Sequence, residues 1–299
     1  MKLSIIIVNF NTYQYLSRCI DSIFKEGFSH SSLEIIIVDN ASTDNSVNLL
    51  QRHYPQVIVV SNNKNIGFAA ANNQGINRAK GKFILLLNPD TLVAKSVLIK
   101  MLHFIDQHPD VGIASCKVVL PTGNLDDACH RGFPTPWNAF CQFSGLSGLF
   151  PESQFFNGYH LGYKDMKKVH EIDSCAGAFM LVRKDAGDQV HWFDTDYFWY
   201  GEDIDFCFRV KKRGWKIMFV PNYQIIHYKG IASGIKKHSK KDSTATIKTK
   251  LQATKARFEV MKIFYNKHYR KIYPSWLNCL VYTGIKIKAY LTEFKNTFF

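Results

Sequence analysis

The chain has 299 residues, of which 46% are hydrophobic and 21% charged, and its formal net charge is +14. This length excludes a disulfide-stapled miniprotein, and this apolar content excludes wholesale disorder. The charge is concentrated at one end, because residues 1–228 hold 22 Lys/Arg against 21 Asp/Glu, whereas residues 229–299 hold 16 against 3. We therefore expect a nearly neutral globular body followed by a strongly cationic C-terminal part.

The first hundred residues alternate between strand and helix patterns. Near-continuous apolar runs predict strands at residues 3–8, 33–38, 57–61 and 83–87. Helical spacing of apolar residues predicts helices at residues 15–24, 69–78 and 95–107, and Ser42 and Asp44 can cap a further helix after the second strand. The alternation predicts an α/β fold with a mostly parallel sheet, whose ligands bind at the carboxyl ends of the strands.

The second half of the chain is less regular. Residues 112–172 are rich in Gly, Phe and Pro and show no clear periodicity, and we expect them to determine specificity. A strand is predicted at residues 178–183, a helix at 206–212, and a strand at 215–220 that Pro221 closes. An aromatic and acidic cluster lies between the first of these strands and the helix.

The cysteines and the hydrophobic runs indicate in which cellular compartment the protein is expected. There are seven cysteines, with no CxxC pair and no His/Cys cluster of zinc-ligand spacing, so we expect reduced thiols in a cytosolic protein. The first apolar run stops at Asn9, which is too early for a signal peptide. No window reaches 18 consecutive apolar residues, so no membrane-spanning helix is predicted.

Polar side chains at strand ends are the first candidate site residues. Asp39 could accept a hydrogen bond from a nucleotide base or ribose, or it could simply cap the following helix. Asp90 follows Asn88-Pro89, and because proline keeps the preceding residue extended, its carboxylate is aimed outward. It could there bind a divalent metal together with phosphate oxygens, or serve only in a turn. His227 could be a metal ligand or a structural histidine.

The acidic cluster supplies candidate catalytic groups. Asp205 lies four residues before Arg209, so we expect these two to pair along a helix. That pairing would leave Glu202 and Asp203 as free carboxylates. A base beside Trp199 would be partly desolvated, which raises a carboxyl pKa toward the range of a general base. The alternative is an acidic helix N-terminus that serves only the helix dipole.

Taken in order, these segments resemble the family 2 glycosyltransferases of the GT-A fold, which are inverting enzymes that use nucleotide sugars. The resemblance covers residues 3–228, and the subgroup it is similar to is the rhamnosyltransferase type of bacterial surface polysaccharide synthesis. The segments that carry it are Ser4-Ile-Ile-Ile-Val-Asn-Phe-Asn11, Ile36-Ile-Val-Asp39-Asn-Ala-Ser-Thr-Asp44, Asn65-Ile-Gly67-Phe68, Leu86-Leu-Asn88-Pro-Asp90, Gly177-Ala-Phe-Met-Leu-Val-Arg183, Gly201-Glu202-Asp203-Ile-Asp205, and His227 with Gly230.

The resemblance implies a division of the chain and a role for each site residue. It implies a GT-A (Rossmann-like) domain at residues 1–228, with a donor half to about 110 and an acceptor half after it. Asp203 would be the general base, with Glu202 beside it, and Asp90 and His227 would bind Mg²⁺ or Mn²⁺. The implied nucleotide-sugar site comprises Asn9, Asn11, Asp39, Asn65, Gly67, Asn88, Asp90 and Gly177. Many relatives carry Asp at the position of Asn88, so the metal affinity is expected to be lower here.

The resemblance also implies the reaction and the partners. The donor would be a nucleotide-diphosphate sugar, with dTDP-rhamnose favoured and a UDP-sugar as the alternative. The acceptor would be a hydroxyl of a glycan or of a polyprenyl-diphosphate-linked oligosaccharide, in O-antigen or capsule synthesis at the inner face of the cytoplasmic membrane.

The C-terminal part, residues 229–299, is predicted to be a basic flexible loop and an amphipathic helical tail. Trp276, Leu280, Ile287, Leu291 and Phe294 form one narrow stripe at helical spacing, which suits peripheral association with an anionic membrane. The alternative is a helix that packs on the body. The polar stretch at residues 230–246 could close over the donor phosphates, or it could be an ordinary surface loop.

Two other classes of function compete with sugar transfer. A nucleic-acid-binding protein could use the basic tail, but no RNA- or DNA-binding motif accompanies it, and no nucleic-acid partner is expected. A nucleotidyltransferase would favour a basic, Gly-rich phosphate loop near the N-terminus, where only Arg18 is available. There is no GxGxxG, and the stretch from Gly75 to Lys82 has one residue too many for a Walker A loop.

Overall fold

The computed structural model describes residues 2–29, 32–234 and 243–298, with side chains up to residue 292. Its N-terminal half alternates strands and helices as predicted. The elements are β1 Leu3–Asn9, α1 Tyr13–Phe24, β2 Leu33–Asp39, α2 Ser46–His53, β3 Ile58–Ser61, α3 Phe68–Ile76, β4 Phe83–Leu87, β5 Thr91–Val93 and α4 Val97–Gln107.

The second half contributes further strands to the same sheet and ends in two long helices. Its elements are β6 Val111–Val119, α5 Pro136–Ser144, α6 Leu146–Leu149, β7 His170–Glu171, β8 Phe179–Arg183, α7 Lys184–Asp188, α8 Glu202–Lys212, β9 Lys216–His227, α9 Ile247–His268 and α10 Ser275–Phe298, with a short 3-10 turn at Asp127–Cys129.

A single sheet organises the body, with strand order β3-β2-β1-β4-β8-β6-β9-β5 and β7 paired to β9. Strands β1 to β4 run parallel, and β9 runs parallel to β6. Strand β8 is antiparallel to both of its neighbours, β4 and β6. Most paired residues lie in the parallel ladders. The prediction of an α/β fold, with a mostly parallel sheet flanked by helices, is therefore confirmed.

The expectation that residues 112–172 are irregular is wrong at their start, where β6 occupies the middle of the sheet. Both faces of β6 are covered, so its residues do not alternate between apolar and polar. The buried Ser115 even faces the core, where its hydroxyl donates to the carbonyl of Phe179 at 2.9 Å.

Pro221 does not close the last strand, because β9 continues to His227. The ladder with β6 shifts register between Cys116 and Lys117, which pair with Val220 and Gln224. Pro221 therefore lies in an irregularity that needs no ladder donor, where proline is tolerated. The continuation brings His227 opposite Thr91 of β5, beside the Asn-Pro-Asp turn.

The C-terminal helices are attached to the body through an aromatic cluster. Phe264 and Tyr265 of α9, and Tyr269 directly after it, pack with Tyr197 and with Phe208 of α8. A buried hydrogen bond reinforces this contact, because His268 Nε2 lies 2.6 Å from Asp205 Oδ1. Within the described ranges, none of the helices is long and apolar enough to cross a bilayer.

Candidate active site

The ends of β1 and β2 form one side of the site. Asn9 and Asp39 are paired in the parallel ladder, so their side chains meet at the carboxyl edge of the sheet. Asn9 Nδ2 donates to Asp39 Oδ2 at 2.8 Å, and the Ser42 backbone N–H donates to Asp39 Oδ1 at 2.9 Å. These bonds fix an almost fully buried carboxylate, so the loop role and a nucleotide-binding role of Asp39 are compatible.

Asn11, Asn65 and Gly67 shape the neighbouring loops. Asn11 is left-handed, with φ of 55°, and its Oδ1 accepts from the Thr43 backbone N–H at 2.6 Å. Asn65 Oδ1 accepts from the Gly67 backbone N–H at 2.9 Å. Gly67 has φ of 88°, and a Cβ there would lie 2.7 Å from the carbonyl oxygen of Phe198, so only glycine fits this close approach.

A cavity of about 340 Å³ opens at this edge of the sheet. Asn11 and Asn65 line it, whereas Asn9, Asp39 and Gly67 only support its walls. Trp199 and the start of α9 close it from the other side. The cavity is lined by Phe10, Asn11, Ala41, Thr43, Asn65, Trp199, Ala232, Thr244, Ala245, Thr246, Lys248, Thr249 and Gln252. Part of the predicted closing loop, residues 243–246, therefore contributes to this wall, and residues 235–242 lie outside the described ranges.

The Asn-Pro-Asp turn after β4 lies against the end of β9. Asp90 Oδ1 is 3.2 Å from His227 Nε2, and Asn88 Nδ2 is 3.3 Å from the same nitrogen. The Asn88 backbone N–H donates to the carbonyl of Ala178 at 3.5 Å, which places Gly177 next to the turn. The structure thus brings together four predicted site residues from three separate segments.

Asp126 is a site residue that the sequence did not reveal. Its Oδ2 lies 2.9 Å from His227 Nδ1, and its other oxygen accepts from Lys229. Burial by itself would lower the pKa of His227, but Asp90 and Asp126 outweigh it and raise that pKa to about 9. Burial acts to raise the pKa of Asp90, yet the contact with His227 leaves it below the usual range.

The donor set at this turn fits a divalent metal with few protein ligands. Asp90 offers a carboxylate oxygen, and Nε2 of His227 would bind a metal in place of the proton that the raised pKa leaves on the imidazole. Asp126 holds the second ring nitrogen, which is how metal-binding histidines are commonly oriented. In the part of the chain that the structure describes, no group of three or more His, Cys, Asp or Glu side chains could hold a metal ion. Diphosphate oxygens and waters would therefore complete the coordination, as Mg²⁺ usually requires.

The carboxylates at the start of α8 form the third part of the site. The predicted Asp205–Arg209 pair is confirmed, at 2.7 Å. The expectation that Asp203 is free is wrong, because Arg131 Nη2 lies 2.6 Å from Asp203 Oδ2. No motif marks Arg131, which lies 72 residues away along the chain.

Glu202 differs from its neighbour. It is buried, and its Oε2 has no hydrogen-bond partner among the described residues. Burial, and next to it the charge of Asp203, raise the pKa of Glu202 to about 8. The preceding Tyr200 and Gly201 are both left-handed, with φ of 73° and 81°. This strained turn presents the two carboxylates in different environments, a pattern found at catalytic sites.

The fold of the body is the GT-A fold, as two solved glycosyltransferases show. The mannosyltransferase PcManGT from Pyrobaculum calidifontis, solved with GDP-Man and Mn²⁺, aligns over 96% of this chain and 80% of its own, with a TM-score of 0.56 and 15% identity. S. aureus TarS 1–349 aligns over 88% of this chain and 64% of its own, with a TM-score of 0.57 and 16% identity.

The sequence comparisons identify the family. The model of glycosyl transferase family 2 matches residues 4–189, so the chain belongs to this family and is a glycosyltransferase. The rhamnosyltransferase WbbL of Escherichia coli K12 is 27% identical over 238 residues, which are 75% of this chain and 82% of that protein. The N-acetylglucosaminyl-diphospho-decaprenol L-rhamnosyltransferase of Mycobacterium tuberculosis is 23% identical over 243 residues, 78% of each chain. The predicted family is confirmed, and the nucleic-acid and nucleotidyltransferase alternatives gain no support.

Proposed function

We propose that this chain is an inverting transferase of bacterial cell-surface polysaccharide synthesis, with dTDP-rhamnose as its favoured donor and a UDP-sugar as the alternative. The acceptor is a hydroxyl of a glycan or of a polyprenyl-diphosphate-linked oligosaccharide. The names of the two rhamnosyltransferase relatives support the sugar, and the decaprenol in the second name supports a lipid-linked acceptor. The observation that carries the proposal is the Asp90–His227 contact at the sheet edge that also holds the Asn9–Asp39 pair.

In the proposed reaction, Asp203 is the general base. Arg131 stabilises the ionised carboxylate, and the Ile204 backbone N–H donates to its other oxygen at 2.8 Å. The acceptor hydroxyl loses its proton to Asp203 and bonds to the anomeric carbon. The bond to the donor diphosphate breaks with its electron pair on the diphosphate, on the opposite face, so the configuration inverts. Glu202, kept neutral by burial, would donate a hydrogen bond to a sugar hydroxyl.

In the donor half, Asp39 with Asn9 would bind the nucleoside, and Asn11, Asn65 and Gly67 would line or shape its pocket. Asn88 would bond a ribose hydroxyl, and Gly177 would face the sugar. Asp90 and His227 would hold Mg²⁺ or Mn²⁺, which when bound neutralises charge on the leaving diphosphate. The donor half would end near residue 110, and Gly177 and His227 of the acceptor half would reach the donor from the other side.

We also propose that the tail of residues 229–299 holds the enzyme at the inner face of the cytoplasmic membrane. Four stripe residues of α10, Trp276, Leu280, Ile287 and Leu291, are more than half exposed, and the side chain of Phe294 lies outside the described part. The opposite face of α10 packs on the body through Val281 and Tyr282. Packing and membrane binding thus use different faces of one helix.

Donor binding tests the proposed function directly. Thermal shift is measured with dTDP-rhamnose, UDP-sugars and GDP-sugars, each with and without Mn²⁺, and released nucleoside diphosphate is then measured for any donor that stabilises the protein. A shift with dTDP-rhamnose that Mn²⁺ enlarges supports the proposal. Stabilisation by GDP-sugars alone would contradict the proposed donor.

A further inference from the structure

A second exposed apolar surface lies on α5, α6 and the loop that follows them. Six large apolar side chains there are each between 41% and 73% exposed, and we call them the aromatic patch: Trp137, Phe140, Phe143, Leu149, Phe150 and Phe155. Scattered exposed apolar residues are ordinary on a protein surface, but here six lie within 19 residues and ring contacts link Trp137 to Phe140 and Phe155. Clusters of this kind are found at interaction sites.

The aromatic patch contains few groups that would need a hydrogen-bond partner or an opposite charge away from water. The Trp137 indole N–H donates to the backbone carbonyl of Phe155 at 2.8 Å, so its only polar group is satisfied within the patch. The Trp137 ring packs 4.8 Å from that of Phe155 and 5.6 Å from that of Phe140. Between residues 132 and 162, the only Asp, Glu, Lys or Arg is Glu152. The surface can therefore leave water without burying the Trp137 N–H unpaired or burying several charges.

The aromatic patch is continuous with the cationic tail. Lys288 Nζ of α10 lies 5.1 Å from the ring centre of Phe143, at the edge of the patch. The exposed stripe residue Ile287 is its neighbour in sequence. Apolar rings beside a segment that holds 16 Lys/Arg against 3 Asp/Glu complement a surface with an apolar interior and anionic head groups.

The aromatic patch also lies close to the catalytic carboxylates. Arg131, which pairs with Asp203, precedes the first residue of α5 by five positions, so their Cα atoms are at most about 18 Å apart. Phe133 lies between them and packs edge-on against Phe208 of α8, with ring centres 5.0 Å apart. A membrane bound to the aromatic patch would thus lie beside the part of the site where the acceptor is proposed to bind.

We propose that the aromatic patch is a membrane-docking surface that inserts into the interface of an anionic bilayer together with α10. It is separate from the tail predicted from the sequence, and its use in presenting a lipid-linked acceptor rests on the proposed function. Two contact regions orient the body, whereas α10 alone would only tether it.

The first test is co-sedimentation of the full chain with vesicles of phosphatidylcholine containing about one third phosphatidylglycerol. The patch variant is Phe140→Ser with Leu149→Ser, and the matched control is Ile58→Ser with Ile99→Ser, which are exposed apolar residues of β3 and α4. We expect the patch variant to bind about tenfold more weakly and the control to bind like the wild type. Equal binding of the patch variant and the wild type would overturn the proposal.

The second test locates the contact. In a Trp276→Phe background, Trp137 should be quenched by vesicles made with brominated lipid, and Trp137→Phe should abolish that quenching. Absence of quenching, or quenching that persists without Trp137, would overturn the proposal. If light scattering shows that the patch variant turns a dimer into a monomer while vesicle binding is unchanged, the patch contacts a second copy and not a membrane.

The vesicle tests involve no turnover, so their outcome is independent of the donor screen. Vesicle binding through the aromatic patch without stabilisation by any nucleotide sugar would remove the proposed function and leave the docking surface standing.

Discussion

Replacing Glu202 by Gln should make the protein more stable, and increasingly so as the pH rises. The pKa of Glu202 is about 8, compared with 4.5 for a free glutamic acid side chain. Between these values the unfolded chain has lost the proton while the folded chain still holds it, so stability falls as pH increases. At about 1.4 kcal/mol per pKa unit, the loss reaches an upper limit of about 4–5 kcal/mol above pH 8. Gln resembles the neutral acid and cannot ionise, so it removes this loss.

The measurement is urea unfolding of the wild type and Glu202→Gln at pH 5.5, 7 and 8.5. We expect the variant to be more stable by about 1 kcal/mol at pH 5.5, one unit above the unfolded pKa, and by a few kcal/mol at pH 8.5. Glu152→Gln is the control, because the carboxyl group of Glu152 is exposed to solvent whereas that of Glu202 is buried. A difference that is the same at all three pH values would refute the reasoning, since only a pKa raised by folding produces the pH dependence.

The remaining predictions concern the proposed chemistry. Asp203→Asn should lower turnover by about 10²–10⁴-fold while donor binding measured by thermal shift is kept, and equal loss of both would make the residue structural. Asp90→Ala should abolish dependence of activity on Mn²⁺, and a wild type fully active in excess chelator would contradict the metal site. Asp126→Asn should raise the Mn²⁺ concentration needed for half-maximal activity by about 10–100-fold, with rescue at high Mn²⁺; failure of rescue would argue against an orienting role. Asp39→Ala should weaken nucleotide binding more than turnover at saturating donor, which a KM and kcat comparison resolves.

The donor side of the site could be predicted because its residues lie at the ends of strands that follow one another in sequence. Asn9, Asp39 and Asp90 each end or follow a buried apolar run. Since parallel strands place their carboxyl ends at one edge, alternation along the chain sufficed to bring these residues together. An apolar run also predicted β8, although this strand is antiparallel to both of its neighbours.

The pattern failed where small and polar residues interrupt a buried strand or where the chain departs from regular structure. Strand β6 contains Gly, Ser and Lys among its apolar residues, so no period of two marks it. The aromatic patch falls in the same segment, and neither a helix period nor a charge run marked its exposed side chains. Whether the side chains of the aromatic patch are exposed depends on which elements pack against α5. The tertiary fold determines this packing.

The sequence by itself determined the α/β class, the polar strand ends, the acidic pair at the start of α8 and the segregation of positive charge, because each depends on local periodicity or composition. Only the tertiary structure decided which charged groups meet. Asp126 contacts His227 across 101 residues, and Arg131 contacts Asp203 across 72. Coulomb attraction and hydrogen bonding act over a few ångströms of space, whatever the separation along the chain. The partners of Asp203 and His227 therefore became identifiable only when the sheet had brought the two halves of the protein together.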